Sequence, residues 1–195
     1  MEETLGEERA AEEASAEAPR PSRRLWFIVA GAVLVVVAGA VLLLTRSGGE
    51  GCGGGGRVLD EIEYDSAEVE TTSADGKATK LCVLIADTED RRAHGLMGVT
   101  DLGEYDGMVF VYTSDTGGPF WMKDTVMPLS IAWFKADGSF VSASDMEPCE
   151  RNDMLCPLYA PTGPYRYALE VPKGGLARLG IAAGARLDLK SAIPS

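Results

Sequence analysis

From residue 57 onward, short apolar runs alternate with turn residues, and the spacing has the two-residue period of strands. Residues 67–72 and 78–86 flank Asp75-Gly76, which predicts a hairpin. Residues 129–135 and 139–144 bracket Asp137-Gly138 and predict a second. Residues 108–113 form a β-branched and aromatic run, and residues 120–123, after a polar loop at 114–118, read as a further short strand. Residues 165–171 and 185–190 supply two more strands. Between them, residues 174–179 suit one or two helical turns, and the four prolines of 147–164 mark a long loop. Asp87 is placed to cap a short helix through Ala93 that Gly95 can end. No repeat, no βαβ rhythm and no long amphipathic helix is visible. The expectation is an α+β, mainly β domain: a small curled or barrel-like antiparallel or mixed sheet with one or two short helices.

One apolar run has a different character. Residues 25–44 contain no charge, and at about 1.5 Å per residue twenty helical residues span about 30 Å, the thickness of a bilayer's hydrocarbon core. Arg20, Arg23 and Arg24 precede the run and only Arg46 follows closely, so the positive-inside rule puts the N-terminus in the cytoplasm and the C-terminal domain outside. An Ala38-Gly39-Ala40 site offers cleavage as an alternative to a retained anchor. The apolar run continues past it, however, and the charged preamble is long for a signal peptide. Residues 1–24, with seven Glu against four Arg, lack the apolar surface to offset ordering entropy and read as a disordered acidic tail. Residues 45–56 form a Gly-rich linker. The domain proper is expected at 57–195.

Charge then narrows the partners. Residues 57–195 hold 22 Asp/Glu against 13 Lys/Arg, a net −9, with no basic stripe. This argues against nucleic acid and leaves the 25–44 span as the contact with a membrane.

Catalytic chemistry is hard to assemble. His94 is the sole histidine and has no Ser or Cys partner in a recognisable nucleophile setting. Asp106, Asp124, Asp145 and Glu170 are carboxylates without a spacing that pairs them. No phosphate-cradling loop is present and no motif calls for a cofactor. In Phe120–Trp121–Met122–Lys123, strand alternation puts Phe120 and Met122 on one side and Trp121 and Lys123 on the other. One reading makes this core plus a covered rim, with the Lys stem on the indole. The other makes Trp121, Lys123 and Asp124, with Arg92, a ligand surface. Six methionines fall between 97 and 154, so His94, Met97, Met108 and Met122 are candidates for a soft metal such as Cu(I), with core filling as the plainer role. Outside the cytoplasm, Cys149 and Cys156 are expected to form a disulfide. Cys82 is expected to be a small buried core residue, and the role of Cys52 is open.

The ordered motifs GLM (95–97), DGMVF (106–110), PFWMKDT (119–125), PLSIAWF (128–134), YALEVPKG (167–174) and GIAAGARLDL (180–189) resemble the uncharacterised domain-of-unknown-function 192 family. The resemblance covers roughly residues 67–190. It implies a compact β-rich domain, often exported, and no established reaction. Three positions depart from the pattern it implies: Val99 where Arg is common, Asp124 where Asn is usual, and Ser130 where Asp is usual. The combined expectation is a single-pass membrane protein that displays a binding or interaction module outside the cytoplasm. Soft-metal handling is the alternative, and a hydrolytic enzyme ranks last.

Overall fold

The computed structural model describes Cys52 and residues 57–149 and 155–189. The tail, the 25–44 span and all of the linker except Cys52 therefore lie outside the described residues. Among those that are described, no helix is long and apolar enough to cross a membrane. The fold and the site lie within the unit 50–195.

Among the described residues, ten strands and two short helices succeed one another in the order β1 (Arg57–Leu59), β2 (Ile62–Thr72), β3 (Ala78–Ala86), α1 (Glu89–His94), β4 (Gly107–Thr116), β5 (Phe120–Trp121), β6 (Leu129–Phe134), β7 (Phe140–Met146), β8 (Leu158–Tyr159), β9 (Tyr165–Pro172), α2 (Gly175–Leu179) and β10 (Arg186–Asp188). The main sheet runs β1-β2-β3-β4-β9-β6-β7, with β10 also on β2, while β5 and β8 form a separate ribbon. Both predicted hairpins are present: β2 pairs β3 antiparallel around Asp75-Gly76, and β6 pairs β7 around Asp137-Gly138.

Four expectations need correction. The sheet does not close into a barrel. β10 pairs with β2 over three residues and meets the turn before β7 through an isolated Ser139–Arg186 bridge, with Leu187 N–H to Gly138 O (2.9 Å) and Phe140 N–H to Ala185 O (3.1 Å). That seam needs Gly138, which has φ 80° and whose added Cβ would lie 2.1 Å from Leu187 O. Second, β3 and β4 are parallel, joined through α1, so one βαβ-like connection exists after all. Its helix is only six residues long, too short to show a 3.6-residue period in the sequence. Third, the α1 cap is Thr88, whose side chain accepts from Arg91 N–H at 3.3 Å, while Asp87 forms an ion pair with Arg91 at 2.9 Å. Gly95 does end the helix. Fourth, the strand expected at 120–123 stops at Trp121, and the long 147–164 loop contains β8.

Two apolar layers explain why the central strands are buried throughout. On β6, Leu129, Ile131 and Trp133 enter one core with Met108, Phe110, Phe120 and Tyr165, while Ala132 and Phe134 enter another with Val109, Leu169, Leu176 and Leu187. A strand covered on both faces loses its polar alternation, which is why residues 129–134 read as a continuous apolar run. The first core is roofed by α1, the 95–106 segment and the β5–β8 ribbon, and that roof carries the site.

Candidate functional site

The corner after β5 is built by alternation and then by a turn. Phe120 points inward, edge-on to Phe110 (ring centroids 5.0 Å apart), and Met122 is 1 % exposed. Trp121 is 41 % exposed, and Lys123 Nζ lies 5.6 Å from its ring centroid and 3.6 Å from Asp124 Oδ2. Thr125 N–H donates to Met122 O at 3.1 Å and closes a four-residue turn. Asp124 occupies its second central position with φ 53°, a left-handed backbone that short polar side chains tolerate best. The Asp or Asn preference at this position therefore has a purely conformational component.

This corner is fixed from both sides. Asp124 N–H donates to Cys149 O (2.9 Å), Cys149 N–H donates to Thr125 O (3.3 Å), and Gly98 N–H donates to Asp124 O (2.9 Å). Cys149 is bonded to Cys156, as expected, with Cα atoms 5.9 Å apart. A second disulfide corrects the expectation for Cys82. Rather than a buried core residue, Cys82 is only half-buried and is bonded to Cys52. No motif in a Gly-rich linker points to its partner thirty residues on, since a disulfide's connectivity is set by the fold.

Beside the corner lies an open cleft of about 570 Å³. The tight turn between β1 and β2 gives one wall, with Arg57, Leu59 and Asp60. The last residue of α1, His94, and the segment after it, with Met97 and Val99, give the other, and Asp124 closes the end. Leu59 and Val99 are buried and form an apolar lining. Asp60 and Glu61, the two turn residues, have φ 45° and 68°, the two positive values a tight hairpin turn demands. Thus two of the three non-glycine residues with positive φ among those described border this one cleft.

The orientation of His94 comes from Tyr64. The Tyr64 hydroxyl is enclosed among Arg91 O (3.1 Å), Gly95 O (3.3 Å) and His94 Nδ1 (3.3 Å). Burial pushes the phenol up to about 12, with Arg91 pulling weakly the other way, so it stays a protonated donor. With Nδ1 held inside, Nε2 is the nitrogen facing the cleft, 3.7 Å from Asp60 Oδ2.

The other candidates are dispersed. Arg92 donates to Asp87 O (2.5 Å) and Val111 O (2.9 Å), and its guanidinium carbon lies 5.0 Å from the Tyr112 ring centroid; it does not line the cleft. Met108 and Met122 are enclosed in the core, apart from Met97 and His94 in the cleft. No group of three His, Cys, Asp or Glu is placed to hold a metal among the described residues. Asp106 accepts from Cys82 N–H (2.8 Å), and Asp145 from the Ser130 hydroxyl (2.5 Å), which in turn accepts from Gly174 N–H (3.0 Å). Glu170 is 4 % exposed, between Met108 and Ile131 in the sheet, and burial alone pushes its carboxyl up to about 8. Its burial is not visible in the sequence, since YRYALEV alternates ambiguously. A smaller cavity of about 340 Å³ lies at the β10 seam, where Arg186 is already engaged by Asp137 O (2.5 Å).

Of the three positions that depart from the expected family pattern, Val99 and Asp124 line the cleft, and Ser130 does not.

Comparison with known proteins agrees with this architecture. A Sinorhizobium meliloti 1021 protein, described as a candidate transcription regulator, is similar at 27 % identity and TM-score 0.58, covering 66 % of this chain and 96 % of its own. A Novosphingobium aromaticivorans DSM 12444 protein of unknown function is similar at 26 % identity and TM-score 0.59, covering 70 % of this chain and 94 % of its own. No match is found among curated proteins. The profile of DUF192, described as Uncharacterized ACR, matches residues 70–189, and the chain belongs to that family.

Proposed function

We propose that the protein is a membrane-anchored, extracytoplasmic binding module whose ligand site is the cleft between the β1–β2 turn and the segment after α1. The observation that carries this reading is the state of the charges around the cleft. Asp60 and His94 Nε2 are 3.7 Å apart, beyond hydrogen-bonding distance, and among the described residues the Asp124 carboxylate meets only its neighbour Lys123 at 3.6 Å. Arg57 has no ion pair among the described residues. Polar groups that converge on an apolar-lined concavity without pairing off are suited to a ligand.

Two further features support it. All four cysteines are in disulfides, as an oxidising compartment favours, and the 25–44 run with its arginine asymmetry supplies the anchor. Among the described residues, Asp106 and Asp145 are hydrogen-bonded, Glu170 is buried and His94 has no nucleophile partner, so binding is favoured over catalysis. Transcriptional regulation by DNA contact would need a basic face that the net −9 domain lacks.

The test uses the sole histidine as a reporter. With full-length protein in detergent, a small-molecule library is screened by the His94 imidazole carbon–proton signal. Compounds that shift His94 saturably support the reading, and a broad library that leaves it unmoved overturns it.

A further inference from the structure

The cleft combines a guanidinium, two carboxylates and an apolar lining, and this combination restricts the ligand. We infer that the cleft recognises a small zwitterion with an apolar side chain, of the α-amino-acid type. This inference rests on the cleft being the ligand site proposed above.

Arg57 is half-buried on β1, where it stands opposite Tyr64 of β2, and its guanidinium makes no hydrogen bond or ion pair to a described residue. Its guanidinium offers a planar fork of donors that matches a carboxylate. Asp60 and Asp124 border the same cleft, and each has only a long ion-pair contact. Both sit on left-handed backbone, so each turn sets the direction in which the side chain leaves the main chain. Asp60 belongs to the two-residue turn after β1, and Asp124 is held by Gly98 N–H on its carbonyl and Cys149 O on its amide.

A purely anionic ligand would satisfy Arg57 but bring like charge toward Asp60 and Asp124. A purely cationic one would leave Arg57 unanswered. A molecule with ammonium and carboxylate on one carbon answers both, and its side chain has Leu59, Met97 and Val99 to lie against. A longer peptide separates its two termini and cannot bring both charges to one cleft.

L-leucine is the probe. Calorimetry with full-length protein should show saturable binding, accompanied by a His94 shift. Leucinamide, which lacks the carboxylate, and 4-methylpentanoate, which lacks the ammonium, should each bind about tenfold more weakly or worse, because each leaves a charge in the cleft unpaired. Arg57→Met should abolish the preference for leucine over leucinamide, and Arg57→Lys should retain part of it. Asp124→Asn should reduce the preference over 4-methylpentanoate. Equal affinity for leucine and both analogues overturns the inference, as does failure of L-leucine, L-valine and L-methionine to bind at millimolar concentration. If other compounds still shift His94, only the ligand class has failed. If nothing shifts it, the cleft reading has failed as well.

Discussion

The amide of Asp124 donates to the carbonyl oxygen of Cys149 at 2.9 Å, so the Cys149–Cys156 disulfide stands directly behind the corner that closes the cleft. The bridge therefore does more than fasten a loop. It fixes the strand end that positions Trp121, Lys123 and Asp124, and it helps to pair β8 with β5.

Replacing both cysteines by serine should leave a folded domain but lower its stability by about 2–3 kcal/mol, on the chain-entropy view of so short a loop. Amide exchange at residues 122–125 should rise by more than exchange in β4 or β6. Thermal melts and hydrogen exchange of the double variant check this, and a uniform rise in exchange across the domain would contradict a local role.

Glu170 gives a pH dependence with a defined sign. Its folded-state value is raised to about 8 from an ordinary 4.5. The stability it permits is therefore fully present below about 4.5 and is lost as pH rises through 8, because ionisation favours the unfolded chain. Over that window the loss from this group amounts to at most about 1.4 kcal/mol per pH unit. Glu170→Gln should be more stable than the parent at pH 8, and the two should converge near pH 4. Chemical denaturation across that range measures the difference. A gap that grows toward low pH would reverse the assignment.

Much of the fold was legible because its signals are local. Asp75-Gly76 and Asp137-Gly138 are turn dipeptides between alternating runs, and both hairpins form there. The inward Phe120 and outward Trp121 arise from a two-residue period. What escaped depends on pairing between distant segments. The three-residue β1 carries too little pattern to be seen alone, and it exists because β2 offers an edge. The Cys52–Cys82 bond and the burial of Glu170 are likewise tertiary facts. The cleft was half legible: Asp124, His94 and Met97 were candidates, but for two separate sites, and Arg57 and Asp60 were missed. Asp60-Glu61 lacks the glycine that marks such turns, so the tight hairpin that brings them there left no signal.

Orientation at the membrane is the next expectation. Protease treatment of intact cells should digest the 57–195 domain and spare residues 1–24, as the arginines before residue 25 require. Antibodies to the two ends read the result on a blot. Loss of the Glu-rich tail alone would show the opposite topology.

If the cleft is where the ligand sits, filling it must block binding. Thr100 lines it and is exposed, so Thr100→Trp can fill the space without entering the core. The decisive measurement is the affinity, in this variant and in the parent, of a compound that shifts the His94 signal. Thr100→Trp should weaken binding by about a hundredfold or more, some 2.7 kcal/mol, while the melting temperature stays within a few degrees. Unchanged affinity in a folded Thr100→Trp protein would place the ligand elsewhere and contradict the cleft as its site.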